Sequence, residues 1–281
     1  MLEVIHSPED MFKLSRGIRK GGNSIGFVPT MGYLHQGHIS LIDRARKEND
    51  IVVVSIFVNP LQFGKNEDLD RYPRDFERDY SLCKDAKVDY IFYPSYSDMY
   101  PEDFNTYVEV KELSEILCGA FRPGHFRGVT TVVLKLFNIV SPDRAYFGKK
   151  DYQQLQIIKR MVKDLNIPVE IVACPTVREP DGLAMSSRNR YLSPEERLSA
   201  TYISKALFKI KDAFDRGASE VWRLKEVGLD VLNKAPLIGE IQYLEVVHPE
   251  NLKSREYAQK GDVVAVAVFI GNTRLIDNIE L

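Results

Sequence analysis

Two histidines three residues apart, His35 and His38 in PTMGYLHQGH (29–38), are the first side chains in the chain that could meet a phosphate chain together. Gly32 and Gly37 let the backbone come close to a ligand, and a helix opening near His38 would point free N–H groups at an anion. As a zinc pair the histidines lack a third ligand and an HExxH frame; as surface loop residues they would do no chemistry. In FVNPLQFG (57–64), Asn59 and Gln62 are neutral donors suited to a small polar substrate, or parts of a simple Pro-induced turn. RYPR (71–74) follows, and Asp79 lies on the next helix. RPGHFRGV (122–129) sets two arginines and His125 among glycines just before a helix, an anion site or a solvated basic turn. In YFGKKDYQQ (146–154), Lys149 and Lys150 beside Gly148 can meet a phosphate, Asp151 can cap a helix, and Gln154 falls one helical turn later. VREPDGLAMSSRN (177–189) puts Ser186, Ser187 and Arg188 on a glycine-containing loop, which fits a mobile phosphate clamp or a linker.

These segments fall where strands give way to helices. Residues 24–28 form a short apolar strand ending in the 29–32 turn, and Ile39, Leu41, Ile42 and Ala45 recur at helical spacing. Residues 51–58 are continuous and β-branched, as expected of a parallel strand covered on both faces. Helix 75–87, strand 88–93, helix 129–140, strand 145–147, helix 152–165 and strand 169–173 continue the alternation. Strands separated by single helices predict right-handed βαβ units and an α/β, doubly wound parallel sheet of Rossmann-like type. Its carboxyl ends are where such sheets bind ligands.

After about residue 176 the pattern changes. Ser193, Pro194 and Glu196 read as a capped helix start, and helices run to about residue 233. Strand 241–247 and a hairpin of 263–270 with 273–277 through Gly271-Asn272 complete a smaller α+β unit. The expected division is 1–176 and 177–281.

Lys and Arg number 38 against 40 Asp and Glu, a net charge of -2, which argues against a nucleic-acid partner. Cys83, Cys118 and Cys174 form no CxxC pair, so a reducing compartment is expected, with neither a disulfide framework nor a structural zinc. The charged N-terminus does not read as a signal peptide, and no apolar run approaches the roughly 20 residues of a spanning helix. A cytoplasmic protein with no membrane partner is the expectation.

HxGH between a strand and a helix resembles the signature of the nucleotidylyltransferase superfamily. Taken in order, PTMGYLHQGH, IFVNPLQF, RYPR, RPGHFRGV, FGKKDYQQ and LAMSSRN, spread over residues 29 to 189, resemble the pantothenate synthetase family closely. Residues from about 191 to the end carry less of the resemblance. It implies a Rossmann-like domain, a smaller C-terminal lid, a homodimer, and ATP with Mg2+ held mainly through its phosphates. It implies that ATP lies against Met31, Gly32, Tyr33, Leu34, His35, Gln36, Gly37 and His38, then Gly148, Lys149, Lys150 and Asp151, and also Val177, Met185, Ser186, Ser187 and Arg188. Pantoate and β-alanine would be held by Gln62 and Gln154 with Asn59 and His125, and Asp79 would lie near the reacting groups. His38, His35, Lys150 and Arg188 would be catalytic, with His38 as proton donor. Lys149 stands where the family often has Glu, so its backbone rather than its side chain would meet ATP. The implied reaction condenses pantoate with β-alanine through a pantoyl adenylate, releasing AMP and diphosphate. No Ser, Cys or Lys nucleophile is paired with a base, which fits activation without a covalent enzyme intermediate. Another small-molecule adenylyl- or cytidylyltransferase, or a non-catalytic nucleotide sensor, is the competing reading.

Overall fold

The computed structural model describes residues 2–65 and 67–281. The chain runs β1 (Glu3–Ile5), α1 (Pro8–Lys20), β2 (Ile25–Thr30), α2 (Gln36–Glu48), β3 (Ile51–Ile56), α3 (Phe76–Asp85) and β4 (Tyr90–Phe92). Two one-turn helices, α4 (Tyr96–Met99) and α5 (Cys118–Phe121), precede α6 (His125–Val140), β5 (Arg144–Gly148), α7 (Tyr152–Asp164) and β6 (Glu170–Cys174). All six strands are parallel in the order β1-β4-β3-β2-β5-β6. The direction of winding reverses between β2 and β5, and that switch point opens a crevice at their carboxyl ends.

Alternation along the strands builds a core on each face. Phe27 and Val53 pack with α1, α6 and α7 through Met11, Val133, Leu136, Leu155 and Ile158. Val28, Val52 and Val54 pack with α2 and α3 through Leu41, Ile42, Ala45 and Cys83. Both faces are therefore dry, as the β-branched run at 51–56 requires.

The structure shifts two helix starts that border the site and adds two elements before residue 24. Helix α6 begins at His125 rather than at 129, because Gly124 takes the left-handed N-cap conformation (φ +81) and lets the chain turn early. Helix α2 begins at Gln36. Nothing was expected before residue 24, yet Ser7 caps α1 and β1 docks beside β4.

The remaining chain forms α8 (Pro194–Asp215), α9 (Val221–Leu232), β7 (Ile238–Val247), β8 (Val263–Ile270) and β9 (Thr273–Glu280). The Ser193 and Glu196 capping box is present, and the antiparallel sheet runs β7-β8-β9. Ile270 pairs with Thr273, leaving Gly271 (φ +55) and Asn272 as a two-residue turn. Leu207, Ile210, Leu224, Val246, Val264 and Val268 form a separate core.

The two sheets meet beside the crevice. Asn278 on β9 donates its side-chain N–H groups to the carbonyls of Lys149 (2.9 Å) and Lys150 (2.8 Å). Leu113, Tyr152, Val247 and Val263 bury their apolar surfaces together at this junction. No described helix is long and apolar enough to cross a membrane.

Candidate active site

A cavity of about 250 Å³ opens at the switch point. Loops after β2, β3 and β5, the start of α6 and the segment 175–188 supply its walls. Met31, His35, Gly37, His38, Asn59, Gln62, His125, Gly148, Lys150, Asp151, Gln154, Val177, Met185, Ser186, Ser187 and Arg188 all line it. With Tyr72 of the 71–74 motif, residues from six separated motifs thus converge on one space.

The histidines form a reciprocal cap. His35 Nδ1 accepts from the Gly37 N–H (3.1 Å), and His38 Nδ1 accepts from the His35 N–H (3.2 Å). A nitrogen that accepts a backbone N–H carries no proton, so each neutral ring has its proton on Nε2. The rings sit 4.0 Å apart between centroids. Burial, then the Lys150 ammonium, lowers His35 to about 4; burial, then His35, holds His38 well below the ordinary imidazole range. This changes the expected chemistry. The pair offers neutral Nε2–H donors to an anion, and Lys150 and Arg188 bring the formal positive charge.

His125 is also neutral: burial, then the Arg122 guanidinium, lowers it to about 3. The folded pKa values lie below the unfolded value near 6.5, so the unfolded chain binds more protons between the two. Stability is therefore full above about pH 6.5 and falls as pH drops through that window. Ring 15N shifts should show His35 and His125 still neutral at pH 5.5. Charged rings at that pH would remove the donor assignment.

Arg188 makes a two-pronged ion pair with Asp68, Nε to Oδ2 at 3.0 Å and Nη2 to Oδ1 at 2.8 Å. Burial would raise Asp68, but pairing with Arg188 outweighs it and leaves the carboxyl lowered. Ser186 Oγ accepts from the Arg188 N–H (3.2 Å). The 177–185 stretch doubles back on itself, with Arg178 facing Ala184 and the Met185 N–H bonded to the Val177 carbonyl (3.0 Å). Arg122 pairs similarly with Glu67 and reaches His125 Nε2 at 3.0 Å. Neither Asp68 nor Glu67 stands out in the sequence, because only the fold brings them to their arginines.

Asn59, Gln62 and Gln154 share the cavity wall with apolar side chains of α6. Asn59 is buried and holds the loop: it donates to Gln62 Oε1 (3.0 Å) and the Gly128 carbonyl (3.0 Å), and accepts from Tyr100 Oη (2.9 Å). Gln62 Nε2 lies 3.2 Å from Met31 Sδ, and His125 Nδ1 lies 2.7 Å from the Gln62 carbonyl. Helix α6 crosses this loop so closely that a Cβ at Gly128 would meet the Leu61 carbonyl oxygen at 2.3 Å. Val129, which closes the 122–129 motif, forms the floor with Val132, Val133 and Leu136 of α6, which lie outside every motif. Gln153, next to Gln154, is structural: it bonds the Cys118 amide and the Leu113 and Ile116 carbonyls.

Five expected ATP contacts lie outside the lining. Asp79 accepts from the amides of Tyr33 and Leu34, Thr30 Oγ1 accepts from the Gly32 amide (3.1 Å), and the Leu34 side chain is buried in the core. Those three amides are spent on partners within the chain and are not free for a ligand's phosphates. Gln36 is exposed, and the Lys149 side chain pairs with Glu280 (2.6 Å), away from the cavity.

The family model described as pantoate-beta-alanine ligase matches residues 3–280. The chain belongs to this ligase family. A pantothenate synthetase of a Sulfurihydrogenibium species is 64% identical over 99% of the chain and 100% of the relative. Another from Caldicellulosiruptor bescii is 56% identical over 98% of each. Among solved structures, the Thermus thermophilus pantothenate synthetase superposes with a TM-score of 0.94 at 48% identity, covering 99% of both chains. The ligase from Francisella tularensis, solved with beta-gamma ATP and β-alanine, superposes with a TM-score of 0.82 at 37% identity, covering 100% of this chain and 98% of that one. These ligases share the whole fold described above, not the crevice alone.

Proposed function

We propose that this ligase activates the carboxylate of pantoate with ATP and passes the pantoyl group to β-alanine. One observation carries the reading: a single cavity joins two neutral Nε2–H donors and the Lys150 and Arg188 cations to amide and apolar side chains. His35, His38, Lys150 and Arg188 suit a polyphosphate, and Gly148, Val177, Met185, Ser186 and Ser187 frame the nucleotide. Gln62 and Gln154 suit the hydroxyls and carboxylate of pantoate, while Val129, Val132, Val133 and Leu136 suit its gem-dimethyl group.

The carboxylate attacks the α-phosphorus, and diphosphate leaves. Negative charge gathers on the departing oxygens, where preorganised N–H donors and ammonium or guanidinium groups stabilise it with little reorganisation. Holding both reactants in line can supply about 7–11 kcal/mol in favourable cases. The β-alanine amine then attacks the adenylate carbonyl and AMP departs. In this reading Gln62 orients both the carbonyl and the incoming amine.

Asp151 is the one carboxylate among the described residues lining this cavity, and no described cluster of three or more His, Cys, Asp or Glu could hold a metal. That donor set fits Mg2+ carried mainly by phosphate oxygens and waters, with Asp151 as an added ligand. When bound, the ion would neutralise phosphate charge.

The division into 1–176 and 177–281 belongs to the same proposal, with the second unit acting as a lid that keeps water from the adenylate. A cytoplasmic homodimer serving coenzyme A synthesis, without a nucleic-acid partner, completes it. It is supported by family membership and near-balanced charge.

Product analysis tests the reading. Purified protein with ATP, Mg2+, pantoate and β-alanine should release AMP and pantothenate in equal amounts. ADP as the nucleotide product would overturn it.

A further inference from the structure

Asp79 on α3 is only 1% exposed, and the reaction just described gives it no role. Its oxygens are both used on one turn: Oδ2 accepts from the Tyr33 N–H at 2.6 Å and Oδ1 from the Leu34 N–H at 2.7 Å. Two consecutive amides aimed at one anion make a small anion-binding nest. This nest lies at the end of β2, where an open α/β sheet offers a phosphate site, and the chain fills it with its own carboxylate. Arg78 is a poorer explanation for Asp79, since it lies 3.7 Å away and is itself 42% exposed.

The turn so held is unusual. Gly32 (φ +80) and Tyr33 (φ +49) both take the left-handed conformation, which a tyrosine rarely adopts. The next residue after Leu34 is His35, whose amide and ring form half of the reciprocal cap with His38. Rotating the turn would therefore re-aim both imidazoles.

Tyr33 also faces the other half of the site. Its carbonyl accepts from Ser187 Oγ at 3.3 Å, and the Arg78 and Arg190 guanidinium carbons lie 4.8 Å and 4.5 Å from its ring centroid. Ser187 and Arg190 belong to the 3-10 turn Ser187–Tyr191, which carries Arg188. One residue is thus tied by its amide to α3, by chain continuity to the histidines, and by its carbonyl and ring to the clamp segment.

We propose that Asp79 and Tyr33 are positioning residues that lock the histidine turn to the clamp segment, so that His35, His38 and Arg188 meet one polyphosphate as a unit. The inference rests on the reading of that site as the ATP site.

Asp79→Asn keeps the shape but turns one acceptor into a donor facing an N–H. It should lower pyrophosphate–ATP exchange at least about tenfold and raise the KM for ATP about fivefold, with the KM for pantoate within about twofold. Arg190→Met removes one cation from the Tyr33 ring at an exposed position and should raise the KM for ATP about threefold. Ring 15N spectra of the ligand-free proteins give a readout without turnover: Asp79→Asn should disturb the Nε2–H pattern of His35 and His38, and wild type should not. A wild type without exchange would sink the functional reading, while the ring spectra would still decide the positioning. Wild-type ring spectra in a folded Asp79→Asn protein, or equal losses for ATP and pantoate, would overturn the proposal. If Asp79→Asn does not fold, Arg190→Met decides: an unchanged KM for ATP overturns it.

Discussion

His38→Ala should lower kcat by on the order of 10²–10³-fold, the cost of deleting one preorganised donor from developing negative charge. The ring is placed by its own backbone: His38 Nδ1 accepts from the His35 N–H at 3.2 Å, which leaves Nε2–H as its donor. Burial and the neighbouring His35 and Lys150 keep it uncharged. Such a donor helps most when charge appears on the phosphate oxygens, so kcat falls more than either KM rises. The variant also loses half of the α2 cap, a cost of about 0.5–2 kcal/mol in stability. Thermal unfolding of the variant would separate that loss from the kinetic one. Near wild-type turnover at saturating ATP and pantoate would remove His38 from the transition state.

Arg188→Ala should raise the KM for ATP by about tenfold or more and leave the KM for pantoate within about twofold, as expected on losing a charged, forked hydrogen-bonding partner. The guanidinium is already held in a planar grip by Asp68, at 2.8 and 3.0 Å. Asp68 thus fixes the side chain that ATP would meet. Removing the arginine also strands a largely buried carboxylate, whose side chain is 13% exposed. The lost pairing lets burial push Asp68 back up, so the variant should be less stable than wild type at neutral pH. Initial rates with each substrate varied in turn would test the kinetic claim. A defect confined to pantoate would take Arg188 out of the phosphate-binding role.

What the sequence made legible was local. The turn at Gly32, the Ser193–Glu196 capping box and the Gly271-Asn272 hairpin each depend on residues within a few positions, and short-range chemistry fixes them. The strand–helix alternation likewise follows from side-chain periodicity, whereas the strand order that places the switch point between β2 and β5 does not. What stayed hidden depends on residues far apart in the chain. Asp79 is separated by more than forty positions from the amides it holds, and Asp68 by more than a hundred from Arg188. Asn278 reaches the Lys149 and Lys150 carbonyls from the far end of the chain. The α6 floor was missed for another reason: Val129, Val132, Val133 and Leu136 look like any buried helix face until β5 and the 57–62 loop leave space beside them. The histidine charge state was equally hidden, since it depends on burial and on which ring nitrogen accepts a backbone N–H.

In the proposed reaction, activation places AMP directly on the pantoate carboxylate before the amine is needed. Isotope exchange between labelled pyrophosphate and ATP measures that step alone. Exchange is expected with Mg-ATP and pantoate in the absence of β-alanine, and none when pantoate is omitted. Exchange that appears only after β-alanine is added, or exchange independent of pantoate, would contradict it.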